Sequence, residues 1–245
     1  MKTHHRRRAV GALAWTLACG YVMAEVLSAG AWTTPYSFVH NSISDLGVTT
    51  CTAMSCSPLH ALMNLSFVAM GLLMIVGALL LRGHLPHGRL HIWVVALTVI
   101  TGLSTAATGL FPTNHGPMIH LAAVLPGFVA RHIVLVLLAW GLWNHRRWAA
   151  LWSTACALAG LAGAVLLAFP RVHFGVTERI ILYPLPIWMG VTGAAVLFGV
   201  VREIVLSGPG GAILPVSARF GRGLGVSPLP VFAGAAGGLR RRDEK

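Results

Sequence analysis

Six apolar stretches, each long enough to cross a lipid bilayer as a helix, constrain this chain more than any other feature of its sequence. A spanning helix needs roughly 20 mostly apolar residues, and each stretch has that length with few charges. The chain is 56% hydrophobic and only 10% charged, whereas soluble domains have about 25% charged residues. The sequence therefore predicts an all-α, polytopic transmembrane bundle within residues 1–206. Its predicted helices cover residues 9–30, 59–81, 90–111, 119–143, 149–169 and 181–205.

Lysine and arginine are distributed unevenly among the segments that connect these helices. They precede helix one, follow helix six, and fill the loops between helices two and three and between helices four and five. Residues 30–58 and 112–118 contain neither residue type, and Arg171 and Arg179 are the exceptions, in the loop before helix six. Cytoplasmic loops of membrane proteins are enriched in these two residues. The pattern predicts a multi-pass protein of the cell membrane with both termini in the cytoplasm and an outer loop at 31–58.

Both ends of the chain are basic, and the sequence predicts a different structure for each. The apolar stretch after Arg8 is longer than the 7–15-residue core of a cleaved signal peptide, so we predict an uncleaved first helix. Residues 207–245 are rich in glycine, proline and arginine. Such a tail buries too little apolar surface to fold alone, and we predict that it is disordered and cytoplasmic. Its arginines either contact anionic lipid headgroups or serve only to orient the chain.

The net charge of +12 would also fit nucleic acid as a partner. However, no nucleic-acid-binding motif accompanies the charge, so we predict none. The lipid bilayer is the expected partner. A small or lipidic ligand would be a second partner, and the sequence does not identify it.

Polar side chains concentrate on the predicted outer side of the bundle. Topology places these residues on one side of the membrane without showing that they meet. Two readings of the first loop stay open. Ser42 and Asp45 have the spacing of a helix capping box followed by a turn at Gly47, or Ser44 and Asp45 act as hydrogen-bonding or acid–base groups at the mouth of the bundle. We define the outer polar cluster as Glu25, His40, Ser42, Ser44, Asp45, His60, Asn64, His115, His120, His173, Glu178 and Arg179.

Arg131 and His132 lie near the middle of predicted helix four. An arginine at the centre of a membrane helix costs roughly 2.5–3.5 kcal/mol on insertion scales, and it normally faces the bundle interior and finds a partner. Glu25 in helix one is the predicted partner of Arg131. The alternative is that Arg131 belongs to a site for an anion or a lipid headgroup.

The cysteines and histidines predict no cofactor. Cys51 and Cys56 share the outer loop, on the oxidising side of a bacterial membrane, which favours a disulfide over two free thiols. Histidines at three outer helix ends, His60, His120 and His173, offer ligands that zinc accepts. They lack the spacing of a known metal motif, so we predict no metal.

Several short segments carry a family resemblance. Pro35-Tyr36-Ser37 and Ser42-Ile43-Ser44-Asp45-Leu46-Gly47, with Gly109-Leu110-Phe111-Pro112, His120 and Glu178-Arg179, resemble signatures of the domain-of-unknown-function 998 family. That family comprises bacterial and archaeal six-helix integral membrane proteins, and the resemblance covers roughly residues 10–205. This chain departs from it at Asn114, where the family often has an acidic residue. The resemblance implies a six-helix topology and carries no established activity.

Three functions remain open at this point. The first is a non-enzymatic membrane protein that binds or moves a small or lipidic ligand through the outer polar cluster. The second is an intramembrane lipid hydrolase or transferase that uses Asp45 and histidines such as His120. The third is a structural or assembly partner in the membrane. The sequence favours the non-enzymatic role.

Overall fold

The computed structural model describes residues 2–52, 56–169 and 173–206, and within them the chain is helical and contains no strand. The predicted disordered tail at 207–245 and Arg171 lie outside the described residues. Short 3₁₀ turns lie in three of the loops, at Ser44–Gly47, Arg82–His84 and Thr113–His115. The α-helices are α1 Lys2–Ala18, α2 Tyr21–Gly30, α3 His60–Leu80, α4 Arg89–Leu110, α5 Pro117–Leu142, α6 Arg147–Leu166, α7 Phe174–Leu182 and α8 Pro184–Leu206.

Within the described residues, six helical segments are long and apolar enough to cross a membrane, which confirms the predicted all-α bundle of six spans. Helices α3, α4, α5 and α6 each provide one span. Helices α1 and α2 together form the first, and α7 and α8 together form the last, which begins at Phe174. Glu178 and Arg179 therefore lie in a helix of the last span, whereas their charges predict a loop before it.

Proline breaks the last span between α7 and α8. Pro184 and Pro186 have no backbone N–H, so the carbonyl that each would normally bond, four residues earlier, loses its helical donor. The Leu182 carbonyl is one of these two acceptors, and it is used by a side chain from α5. The break therefore leaves a carbonyl of the last span without its helical donor, and in a membrane protein such a group needs another partner.

The spans pack in chain order, and the first also meets the last. Helix α3 packs against α1 and α4, α5 packs against α4 and α6, and α6 packs against α7. Helices α1 and α8 meet through Trp15 and Trp188, whose rings are 5.5 Å apart. Lipid tails are as apolar as leucine, so helices in a membrane associate through close van der Waals packing. Small residues permit this close approach. Gly71 of α3 meets this need, since an added methyl group would overlap the Gly102 carbonyl of α4.

The segment that connects α2 and α3 folds over one end of the bundle, which we name the loop end. Cys51 and Cys56 are joined there by a disulfide. At the other end, Arg8 and Glu203 of the first and last spans form an exposed ion pair, with 2.8 Å between Nη1 and Oε2. The polar contacts that organise the loop end define the candidate site.

Candidate functional site at the loop end of the bundle

The predicted capping box at Ser42 and Asp45 is confirmed. The Ser42 backbone N–H donates to Asp45 Oδ2 at 2.8 Å, and the Asp45 backbone N–H donates to Ser42 Oγ at 3.0 Å. Each side chain thus satisfies a backbone donor that the start of a helix leaves unpaired. The element that it caps is the short 3₁₀ turn Ser44–Gly47. Asp45 therefore has a structural role, and Ser44 is held in a defined position.

The capped turn is also tied to two membrane helices. The buried Glu178 carboxylate of α7 accepts a hydrogen bond from the Ile43 N–H, with 2.6 Å between nitrogen and Oε2. On the other side, Asn64 Nδ2 of α3 donates to the Gly47 carbonyl at 2.8 Å. Since both contacts come from spans, the turn that carries Ser44 is fixed relative to the bundle.

Arg179 is the partner of Glu25. The sequence pattern predicts Arg131 as that partner, and this prediction is wrong. Arg179 Nε donates to Glu25 Oε1 at 2.8 Å, and the Tyr183 hydroxyl donates to Glu25 Oε2 at 2.7 Å. Glu25 is 0% exposed and Arg179 is 7% exposed. The prediction failed because it placed Arg179 in a loop. Arg179 was therefore not considered among the intramembrane charges that need a partner.

The remaining donors of Arg179 hold the first loop. Its Nη2 donates to the Tyr36 hydroxyl at 2.7 Å, and its Nη1 donates to the carbonyls of Phe38, Asn41 and Gly175 at 2.8–3.0 Å. The Tyr36 hydroxyl in turn donates to the Ser42 carbonyl at 2.7 Å. Burial raises the pKa of Tyr36 well above its ordinary value, against the opposing effect of the Arg179 charge. The hydroxyl therefore stays a donor at neutral pH.

Gly175 lets the first loop lie directly against α7. The Val176 N–H donates to the Val39 carbonyl at 3.1 Å, so loop and helix meet through their backbones. A methyl group at Gly175 would overlap the carbonyl oxygens of Val39 and Asn41. Glycine is thus required here for close approach.

Arg131 is buried in α5 and bonds carbonyl oxygens. Its Nε donates to the Gly127 carbonyl at 3.0 Å, and its Nη1 donates to the Leu182 carbonyl at 3.2 Å. Leu182 is the acceptor that Pro186 leaves without a helical donor. The proline break in the last span thus explains how a charged residue of α5 is accommodated.

Ser44 and His120 are hydrogen-bonded to each other across two elements. Ser44 Oγ of the 3₁₀ turn lies 3.1 Å from His120 Nε2 in the first turn of α5. The other ring nitrogen, Nδ1, lies 2.7 Å from the Phe111 carbonyl at the end of α4. A carbonyl oxygen only accepts, so Nδ1 carries the proton of the neutral imidazole. Nε2 is then an acceptor, and the Ser44 hydroxyl donates to it.

A cavity of about 450 Å³ begins at this serine–histidine pair. Such a volume is within the range of roughly 300–1,000 Å³ for ligand pockets. Its polar lining residues are Ser42, Ser44, Thr113, His120 and Glu178. The rest of the wall, from α5, the end of α6, and α7, is mostly apolar and includes Leu121, Val124, Leu125, Phe128, Leu167, Phe174, Ile181 and Leu182. The cavity wall is therefore mostly apolar with a few polar groups.

A second, smaller cavity of about 30 Å³ is also lined by Ser44. Ser44 and Glu178 line both cavities, and Arg131 lines the smaller one. The buried hydroxyls of Tyr21 and Thr105 also face it and have no hydrogen-bond partner among the described residues. A polar cavity of this size has room for an ordered water. Ser44 therefore lines both a ligand-sized cavity and a smaller one that contains unpaired hydroxyl groups.

The other members of the outer polar cluster lie around this site without entering the cavity wall. The rings of His40 and His173 are 4.3 Å apart, edge to face. His115 Nε2 lies 3.4 Å from Thr49 Oγ1, and His60 is the first residue of α3. In the part of the chain that the structure describes, no three His, Cys, Asp or Glu side chains are arranged to hold a metal. His132, inside α5, lies 2.7 Å through Nδ1 from the Phe128 carbonyl.

Sequence reasoning overlooked the tyrosines of the site. Tyr21, Tyr36 and Tyr183 supply hydroxyls around Glu25, Arg179 and Arg131, yet each reads as an ordinary aromatic residue near a membrane helix end. A buried tyrosine usually finds a partner for its hydroxyl. That rule, applied to Tyr36 and Tyr183, is the signal that would have pointed to them, whereas the Tyr21 hydroxyl has no partner among the described residues.

Comparison with known proteins gives a family and no relative of known activity. No curated protein and no solved structure matches the chain. A family model described as "Protein of unknown function (DUF998)" matches residues 10–216, which is most of the sequence. The predicted resemblance is thereby confirmed, and the chain belongs to the DUF998 family of proteins of unknown function.

Proposed function

We propose that this membrane protein binds an amphipathic lipid, with the apolar chain in the 450 Å³ cavity and the polar group beside Ser44, His120 and Glu178. The observation that carries the proposal is the division of the cavity wall into an apolar body and one polar end. A small polar metabolite would leave the apolar wall without contacts, whereas an acyl chain would fill it.

The polar end must supply the selectivity of this binding. An acyl chain in the bilayer is already in an apolar environment, so moving it into an apolar cavity changes its free energy little. Hydrogen bonds between the polar part of the lipid and Ser44, His120 or Glu178 have no equivalent among the lipid tails. A buried hydrogen bond of this kind contributes about 0.5–1.5 kcal/mol, and more when one group is charged.

The cavity wall is accessible from the side of the bundle. Among the described residues, Leu121, Leu125 and Phe174 line the cavity and are 50%, 51% and 53% exposed. These residues belong to membrane spans, where exposed surface faces lipid. A lipid would therefore enter laterally, without crossing water.

The proposed orientation puts the polar end at the outer leaflet of the cell membrane. Its support is the distribution of arginine and lysine, which favours both termini in the cytoplasm. A single cysteine at the exposed His40 position should react with a membrane-impermeant maleimide in intact cells, and one at Arg146 should react only after lysis. The reverse pattern would overturn the orientation.

A photoreactive lipid tests the binding. The probe is a monoacylglycerol with a diazirine in its acyl chain, and it is crosslinked to the purified full-length protein in detergent micelles. Val124→Trp and Leu121→Trp fill the cavity and should lower crosslinking about tenfold, equivalent to about 1.4 kcal/mol. Leu158→Trp adds the same ring on the exposed surface of α6 and serves as the control.

Each outcome decides between functions. Strong crosslinking that maps to α5 and α7, and that only the cavity variants reduce, supports lipid binding. Crosslinking that all four proteins share equally would indicate contact with the outer surface alone. That result would reject the proposal and favour a structural or assembly role.

A further inference from the structure

We infer that Ser44 is a nucleophile and His120 its general base, and that together they transfer the acyl group of a lipid ester bound in the cavity. This inference rests on the proposed lipid binding and adds a reaction to it. It assigns to two residues a chemistry that binding alone does not require.

The geometry is that of an activated serine. Ser44 Oγ is within hydrogen-bond distance of a ring nitrogen, His120 Nε2, at 3.1 Å. The Phe111 carbonyl, 2.7 Å from Nδ1, fixes the tautomer in which Nε2 accepts the serine proton. A nucleophile, a base, and a third group that orients the base are the three parts of serine-dependent acyl transfer. A backbone carbonyl here provides the third part.

The position of the pair is also appropriate for a reaction. Both side chains line the wall of the large cavity, at its polar end, and both are only partly buried. A lipid with its chain along Leu121 and Leu125 would place its ester near Ser44 Oγ. If His120 only tethered the turn, its partner Ser44 would not need to line a cavity large enough for a ligand.

Ser44 is held rigidly for this task. Its turn is closed by the reciprocal bonds of Ser42 and Asp45 and is anchored to α7 by Glu178. Catalytic groups must be held within about 0.5 Å of their working geometry, by contacts outside the reacting atoms. Asp45 and Glu178 are therefore positioning residues.

The reaction has two balanced steps. Ser44 Oγ attacks the ester carbonyl carbon while its proton passes to His120 Nε2. The bond to the alcohol oxygen breaks, and the imidazolium returns that proton to the departing alkoxide, which leaves as an alcohol. The acyl group is then an ester of Ser44.

The second step reverses the roles. A water molecule or the hydroxyl of an acceptor attacks the acyl-serine carbonyl and gives its proton to Nε2. The bond to Ser44 Oγ breaks, and Oγ regains the proton from the imidazolium. When water attacks, the product is a free fatty acid. When an acceptor alcohol attacks, the product is a new ester. The smaller cavity that Ser44 also lines has the volume and hydroxyl groups to hold such a water.

A long-chain alkyl fluorophosphonate tests the nucleophile directly. Its phosphorus forms a bond to an activated serine oxygen, fluoride leaves, and the serine proton passes to the base. The full-length protein in micelles should gain one adduct on Ser44, measured by intact mass and peptide mapping. Ser44→Ala should abolish the adduct, and Ser66→Ala, which alters a serine of α3 outside the cavity wall, should not.

His120 is tested by rate and by rescue. His120→Ala should slow labelling about 100-fold or more, which is the usual contribution of a general base. Free imidazole should restore part of the rate. His120→Gln retains a hydrogen-bonding side chain, so it would label normally if His120 only held the turn in place. Normal labelling of that folded variant would overturn the role of His120 as base.

Failure of the reaction and failure of binding give different results. If the wild-type protein crosslinks the diazirine lipid but gains no phosphonate adduct, the catalytic inference is wrong and lipid binding stands. An adduct that survives Ser44→Ala would also overturn it. If the diazirine lipid does not enter the cavity, the proposed function fails, and the inference fails with it. Ser44→Ala should unfold in denaturant almost as the wild type does, which shows that its loss of labelling is not misfolding.

Discussion

The Arg179 side chain lies 2.8 Å from the Glu25 carboxylate, and this buried ion pair joins the last membrane span to the first. Because Arg179 also bonds the Phe38 and Asn41 carbonyls, the same residue holds the first loop against α7. Glu178, one position earlier, holds the next part of that loop at Ile43. Two consecutive charged residues thus place the turn that carries Ser44.

Removing Arg179 should strongly destabilise the bundle. Arg179→Ala leaves the Glu25 carboxylate buried without a compensating charge, which typically costs about 3–5 kcal/mol. The measurement is denaturant unfolding of the purified protein in micelles. Arg8→Ala breaks the exposed Arg8–Glu203 pair and should change stability little, since solvent screens it. Similar losses from both variants would contradict a special role for the buried pair.

Asp45 should stabilise the turn as a hydrogen-bond acceptor, and its negative charge should not be required. Asp45→Ala removes the acceptor of the Ser42 N–H and should cost about 1 kcal/mol, as the loss of a helix cap does. Asp45→Asn keeps an oxygen acceptor and should behave almost like the wild type. Hydrogen exchange of the amides at 42–47 is the measurement. If Asp45→Asn opened this turn as much as Asp45→Ala, the carboxylate charge would be essential instead.

A methyl group at Gly175 should push the first loop away from α7. Gly175→Ala overlaps the Val39 and Asn41 carbonyls and should cost roughly 1–3 kcal/mol, as overpacking does. Increased hydrogen exchange at 37–43 would report the displacement. Gly30→Ala is the matched control, because a methyl there meets nothing within 4 Å. Equal exchange in the two variants would show that the loop does not need the close approach.

His84, in the Arg82–His84 turn at the other end of the bundle, should make stability depend on pH. Burial, followed by the charges of Arg8 and Arg146, lowers the pKa of His84. The unfolded chain therefore binds a proton at this residue more readily than the folded protein does. Stability should fall as the pH drops through about 6.5, the ordinary histidine value, and below.

The His84→Asn variant isolates this contribution. Its stability should fall less than that of the wild type between neutral pH and pH of about 5.5, in the same unfolding measurement. His145→Asn, at an exposed position near α6, is the control. A pH dependence unchanged by His84→Asn would assign the effect to other histidines.

The sequence predicted the features that depend on local composition and spacing. Apolar stretches of spanning length predicted six membrane helices, because a backbone in lipid must satisfy its own hydrogen bonds. The Ser42-x-x-Asp45 spacing predicted a capping box, since the partners of such a box are only three residues apart. The beginning of the last span was misplaced because the charges of Glu178 and Arg179 hide a helix that starts at Phe174.

Long-range partners were beyond the reach of such patterns. Glu25 had Arg131 as a reasonable partner, and nothing local distinguishes Arg131 from Arg179. The choice depends on which side chains the packed spans bring together and on the carbonyl that Pro186 leaves unpaired at Leu182. The break supplies one of the two carbonyls that Arg131 bonds, and the other, at Gly127, belongs to α5 itself.

The sequence by itself determined that this chain is a six-span membrane protein with polar residues at the predicted outer helix ends, and it offered a capping box as one of two readings of the first loop. Only the tertiary structure decided that Ser44 meets His120, that Glu25 meets Arg179, and that an apolar cavity begins at the serine. The physical reason is distance along the chain. Helical periodicity and capping act over a few residues, whereas these contacts join residues 76 and 154 positions apart, which only the packing of the spans brings together.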